Sequence, residues 1–360
     1  MKPKFNVLKH SIKTVMILGI ATTTLLALAS HQALATGYTA QEINSPGPAM
    51  RMSNNAQVTG FYVAKCTTLS SQPKRTICYN APWLFDGKRV NKLSGNWPSN
   101  ANAKAVSVND AGDLVGADIT GAWFYSSGNV AYPDSSVSGT SGTRLFALNN
   151  VGEAVGMSYV FSVYQPVIYR YGGIPSPILS SGYSVVDIND GGMIAGWYKN
   201  SANVEQGFVA DAGGTITAIP NLDPAINCRP VRISQQSSNG SVWVASNCAG
   251  NRTFRYELTR DTLTELTFAG SSNLSVVSIN SRGEAAGTAV KPGANAPDGY
   301  TALVWSTDPA IPTDLNANQA FAPASAWNVH ATDINEAGTV LTGYNDTSGN
   351  FYTFLLSLIP

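Results

Sequence analysis

Histidine is almost missing from this chain. Of three, His10 and His31 lie near the N-terminus, and His330 alone belongs to the body of the sequence. A zinc site needs several His or Cys ligands at close spacing, and the four cysteines form no C-x-x-C cluster. No metal and no cofactor is therefore expected. A Ser-His-Asp or Cys-His arrangement would have to use His330, and the G-x-S-x-G turn of a nucleophilic serine does not occur. The phosphate-cradling G-x-x-x-x-G-K-[ST] loop is absent too. Charge is scarce, at 12% of residues. Nothing resembles the basic footprint of a nucleic-acid binder. No stretch beyond the N-terminal region approaches the roughly 20 apolar residues of a spanning helix. No segment sustains a helical apolar period, which turns the reading toward β-structure.

The one long apolar run, Val15 to Ala29, follows Lys2, Lys4, Lys9 and Lys13 and precedes Ala33-Leu34-Ala35, a small-x-small cleavage pattern. That order predicts a signal peptide over residues 1–35, leaving a single domain at 36–360 and an exported chain, periplasmic or extracellular, with no membrane span after cleavage. Taking these four lysines from 22 basic residues leaves 18 against 22 acidic ones, a net charge of −4.

What the chain does have is one motif written repeatedly. Aligned on an Asn, the copies are "VNDAGDLVG" (Asn109), "LNNVGEAVG" (Asn149), "INDGGMIAG" (Asn189), "INSRGEAAG" (Asn280) and "INEAGTVLTG" (Asn335). Two degenerate copies fill the gaps: "MSNNAQVTG", with Ser53 at the Asn position, and "ISQQSSNGSVWVAS". A spacing of 40 residues between Asn109, Asn149 and Asn189 falls in the range of solenoids, propellers and arrays. Seven units follow, starting near 48, 104, 144, 184, 229, 275 and 330. Each reads as four short strands, as in "YSVVDIND", "GMIAGWY", "QGFVAD" and "GTITAIP". The last unit ends on its third strand, "YTFLLS", while "GYTAQEIN" (Gly37 to Asn44) is a fourth strand with no unit of its own. The expected fold is all-β, a seven-bladed β-propeller of four-stranded antiparallel blades, with the last blade completed by the N-terminal strand.

Asn-x-x-Gly is turn chemistry. The Asn side chain bonds the turn backbone, and the Gly takes the left-handed conformation of a three-residue hairpin loop. The pairs Asn109 and Gly112, Asn149 and Gly152, Asn189 and Gly192, Asn280 and Gly283, and Asn335 and Gly338 are the expected turn-makers. A calcium loop would hold carboxylates at fixed alternating positions. Here the residue after Asn varies among Asp, Asn, Ser and Glu, so no metal is assigned. The repeat also orders the cysteines. Cys228 and Cys248 flank the expected turn Ser237 to Gly240, and Cys66 and Cys78 flank the longest loop between second and third strands. An exported chain with an even cysteine count favours disulfides, with the local pairs Cys66–Cys78 and Cys228–Cys248.

The I-N-x-x-G-x-x-x-G motif, followed by third strands such as "TALVW" (Thr301 to Trp305), "GAWFY" (Gly121 to Tyr125) and "APWLF" (Ala81 to Phe85), resembles the bacterial HAF-type extracellular repeat proteins. The resemblance spans nearly the whole chain after residue 35. It implies an exported propeller with no settled activity, and it carries no catalytic residue.

No catalytic residue is assigned from the sequence either. Asp110, Asp113, Glu153, Asp187, Asp190, Glu284, Asp333 and Glu336 gather around the repeat turns and read as turn chemistry. Paired carboxylates on the propeller face would make a carbohydrate-active enzyme the alternative. The leading expectation is a monomeric binding or interaction module with a protein or glycan partner. Its candidate ligand-binding residues lie on the longer loops: Trp97, Tyr159, Trp197, Tyr198, Tyr300, Trp327 and His330.

Overall fold

The computed structural model describes residues 37–359, apart from 70–74, 98–100, 134–139, 161, 292–298, 307, 310, 318–320 and 322–325. The expected signal peptide lies outside the described residues. Seven four-stranded antiparallel sheets make up the molecule, six of them wound outward in sequence order and the seventh taking its outer strand from the N-terminal segment. Blade 4 is typical. Its strands are Tyr183–Ile188, Ile194–Lys199, Glu205–Ala210 and Ile216–Ala218. Inner strands alternate, second and third strands carry continuous apolar runs, and outer strands are short and open to solvent. That gradient is what stacked blades require, since a middle strand is covered on both faces and an outer one is not. Blade 3 ends in a two-residue outer strand containing Pro177, whose missing N–H is tolerated at an edge.

Apolar side chains fill the wedges between blades. Ala195 and Val209 of blade 4 pack with Val244 and Phe254 of blade 5. Ala286 and Val304 of blade 6 pack with Val329 and Val340 of blade 7. The ring closes through the N-terminus. Tyr38–Ile43 pairs antiparallel with Phe351–Leu358, from Tyr38 opposite Leu358 to Ile43 opposite Thr353. Ile43, Leu341 and Leu355 then share a core with Val58 and Trp83 of blade 1.

The motif folds as the turn it encodes. In blade 4 the Gly192 N–H donates to the Asn189 carbonyl at 3.0 Å, and the Met193 N–H to Asn189 Oδ1 at 2.9 Å. Gly192 sits at φ 74°. In blade 1 Ala56 occupies the equivalent left-handed place at φ 57°. The second glycine of the motif is a point of close approach. A Cβ on Gly196 would lie 2.1 Å from the Ser184 carbonyl oxygen and 2.6 Å from the Phe208 ring.

Both disulfides join the local pairs, and each joins residues directly opposite in an antiparallel ladder. The ladder carrying Cys66–Cys78 runs on to Leu69 opposite Arg75, so part of the expected loop is strand.

Candidate functional site

Every inner strand slips register by one residue against its neighbour at the same place. The slips fall between Ala49 and Arg51, Ala105 and Ser107, Leu145 and Ala147, Val185 and Asp187, Pro230 and Arg232, Val276 and Ser278, and Ala331 and Asp333. A bulge bends its strand and re-aims a side chain. The residue after each slip lies two positions before the motif Asn, on the wall of the central channel. Arg51, Asp187, Arg232, Ser278 and Asp333 line a channel cavity of about 70 Å³.

Four of these residues form one ionic network across the axis. Arg51 Nη2 lies 2.6 Å from Asp187 Oδ1, and Arg51 Nε 3.6 Å from Asp333 Oδ2. Arg232 Nη2 lies 3.0 Å from Asp333 Oδ1, and its Nη1 3.9 Å from Asp187 Oδ1. Backbone donors add to the network: Asp187 Oδ2 accepts from the Ile233 N–H and Asp333 Oδ2 also from the Met52 N–H, both at 3.0 Å. Burial pushes both carboxyls up from the usual carboxylate range, and Arg51 pulls each back down. These two acids do not belong to the turns, as the sequence suggested. The bulge sets them inward, where their partners come from other blades.

The motif itself builds two further rings. Asn109 Nδ2 donates to the Asn149 carbonyl, Asn149 to that of Asn189, Asn189 to that of Ser234, Asn280 to that of Asn335, and Asn335 to that of Asn54, at 3.1–3.3 Å. Residues after the Asn form the second ring. The Asp110 N–H donates to Asn150 Oδ1, Asn150 N–H to Asp190 Oδ1, Asp190 N–H to Gln235 Oε1, and Glu336 N–H to Asn54 Oδ1. Ser281 is too short to accept, and Glu336 accepts from the N–H groups of both Ser281 and Gln235. Of the other acids near the turns, Asp113, Glu153 and Glu284 each accept from the Asn Nδ2 of their own turn.

The candidate ligand-binding aromatics are spread over blades 1, 3, 4, 6 and 7, and the structure does not gather them. Trp97 is 6% exposed and packs edge-on to Trp123, 4.8 Å between rings. Trp197 lies beneath the Arg229 guanidinium, 4.3 Å away. Tyr198 packs on Tyr183 and donates to Gln206 Oε1 at 3.3 Å. Tyr300 is half-buried where the third strand of blade 6 begins. Trp327 donates its indole N–H to the Asp346 carbonyl. His330 donates Nδ1–H to the Asn328 carbonyl at 2.8 Å and packs on Phe351. Tyr159 is 47% exposed and lines an open groove of about 440 Å³ between blades 2 and 3, together with Tyr164, Asp118, Thr120 and Arg144. The sequence reading did not single out the last four.

No family model matches the chain, and no curated protein matches it. Solved structures are similar to it in fold. A chain of the mitotic checkpoint complex is 14% identical at TM-score 0.50, over 91% of this chain and 96% of that one. A prolyl endopeptidase is 11% identical at TM-score 0.50, over 97% of this chain and 56% of that one. TolB from Acinetobacter baumannii is 13% identical at TM-score 0.40, over 89% of this chain and 96% of that one. At such identities the likeness is one of propeller architecture alone.

Proposed function

We propose that this chain is an exported propeller acting as a monomeric binding module at the cell envelope or outside the cell, holding a protein or glycan partner without turning it over. The HAF-type reading of the repeat belongs to the same proposal. The observation that carries it is the state of the converging acids. Asp187 and Asp333 meet on the channel axis as a glycosidase pair would, but each is ion-paired to arginine and holds a backbone N–H. Such acids hold blades together and are buried, at 1% and 3% exposure, where a substrate does not reach them. The groove between blades 2 and 3 offers an open aromatic wall instead. Two disulfides support export, because they persist in oxidising compartments. Among the described residues no helix is long and apolar enough to cross a membrane.

The test has two parts. N-terminal sequencing of the exported protein is expected to begin at Thr36. The purified protein, incubated with envelope polysaccharides and envelope proteins, is expected to retain one saturably without releasing reducing ends. Sustained release of reducing ends in proportion to protein concentration would instead establish a carbohydrate-active enzyme.

A further inference from the structure

The groove between blades 2 and 3 comes from unequal strand lengths. The second strand of blade 2, Leu114–Asp118, has five residues, and that of blade 3, Glu153–Val160, has eight. Counted from the motif Asn, the blade 3 strand starts one residue earlier and ends two residues later, so at about 3.3 Å per residue its hairpin stands roughly 7 Å above its neighbour. Its flank is thereby uncovered, and that flank carries Tyr159 and Tyr164. They sit opposite one another in the ladder with ring centroids 4.8 Å apart, 47% and 37% exposed. Gly142, at φ 61°, leaves room for the Tyr159 ring, 3.4 Å from where a Cβ would be.

The polar groups of the groove are of two kinds. Asp118 is fixed. Its Oδ1 accepts from the Thr120 N–H at 2.7 Å and the Thr120 hydroxyl at 2.6 Å, and its Oδ2 from the Tyr132 hydroxyl at 2.7 Å. Burial and the neighbouring Asp118 push the Tyr132 phenol up to about 12, so it stays a donor. Arg144 is exposed and makes no ion pair among the described residues.

We propose that this groove binds a pyranose-containing glycan, with Tyr159 and Tyr164 as the stacking surface, Asp118 as acceptor for sugar hydroxyls and Arg144 as donor to them. This rests on the binding-module reading above. A sugar ring has an apolar C–H face and a rim of hydroxyls that both donate and accept, and the groove pairs an aromatic wall with one fixed acceptor and one free donor. An extended peptide finds no strand edge here, since Tyr159 is paired with Ser141 on one side and Tyr164 on the other. A nucleic acid would meet one arginine balanced by one carboxylate on a chain of low charge.

The experiment is calorimetric titration of the disulfide-bonded protein with tetrasaccharides of N-acetylglucosamine, of glucose and of galacturonic acid. Saturable binding of at least one is expected, with Tyr159→Ala and Asp118→Asn each weakening it about tenfold or more. Tyr159→Ala should melt as wild type does, because the ring is half exposed. A galacturonate preference lost in Arg144→Gln assigns the guanidinium to an acidic sugar, whereas equal binding of all three leaves it as a hydroxyl donor, and both support the groove. Binding that survives Tyr159→Ala but is lost in Trp197→Ala overturns the groove and keeps the binding-module reading. Absence of binding to all three sugars overturns the glycan assignment, and cleavage of any of them overturns the binding-module reading itself.

Discussion

Arg51 and Asp187, separated by 136 residues in sequence, meet 2.6 Å apart across the channel axis. One comes from blade 1 and the other from blade 4, with side-chain exposures of 18% and 2%. With Arg232 and Asp333 they form a neutral network of two cations and two anions. Removing one member of such a set leaves charge without compensation, which costs about 3–5 kcal/mol. Asp187→Ala is expected to lower the unfolding free energy by that amount, seen as a lower urea midpoint at unchanged m-value. A loss below about 1 kcal/mol would mean that Asp187 is not needed for the ring and is free for chemistry.

The ring of asparagines separates two roles that one residue plays. Asn189 Oδ1 accepts from its own turn, and Nδ2 donates to the Ser234 carbonyl of the next blade at 3.1 Å. Asn189→Asp keeps the acceptor and loses the donor. If Asn189 only made the turn, that change would be nearly silent. The expected loss in chemical denaturation is about 1–3 kcal/mol, the cost of an orphaned buried acceptor facing a carboxylate. Ser53 shows the converse in the native chain: its hydroxyl accepts from the Gln57 N–H and closes the turn without a side-chain amide.

These two predictions mark where legibility in the sequence stops. Turn chemistry at Asn189 and Gly192 repeats because every blade needs the same hairpin, so periodicity reveals blade number, strand order and both disulfides. The channel wall does not repeat. Its positions read Arg51, Ser107, Ala147, Asp187, Arg232, Ser278 and Asp333 in blade order, and an alignment treats them as variation. Their logic is circular complementarity, visible only once the ring closes. A signal was nevertheless present: a charged residue followed directly by an apolar one in "MRMS", "VDIN", "VRIS" and "TDIN". The aromatics were legible as residues but not as exposures. Trp97 follows the short 3₁₀ turn Ser94–Asn96, and it packs onto Trp123 and Tyr125. Groove residues Asp118 and Arg144 depend on a difference in strand length between adjacent blades, which no single motif records.

Closure of the ring rests on Ile43 more than on its neighbours in the N-terminal strand. Ile43 is 2% exposed and touches the core shared by blades 7 and 1, whereas Thr39 is exposed. Ile43→Ala should cost about 2–4 kcal/mol through the cavity it leaves, and Thr39→Ala less than about 0.5 kcal/mol. Deleting residues 37–43 should be worse than either, because it also strips the backbone partners of Phe351–Leu358 and leaves an open strand edge. A deleted chain that melts at the wild-type temperature would show that the blade closes without its fourth strand.

His330 offers a titration free of overlap, because a chain beginning at Thr36 carries one imidazole. Its ring is packed against Phe351 and its Nδ1–H is given to the Asn328 carbonyl. Burial disfavours the imidazolium and lowers the pKa below the ordinary 6.5, with the Asn328 bond opposing it. For a histidine depressed in the folded state, the stabilisation is fully present above pH 6.5. It is lost as pH falls from there through the folded value. The single imidazole C2–H resonance should therefore titrate with a midpoint below 6.5, and denaturant stability should fall on the acid side of that pH by more in wild type than in His330→Phe. A midpoint above 6.5 would require a carboxylate close enough to stabilise the cation, and would make His330 a charged group at this end of blade 7 rather than a neutral one.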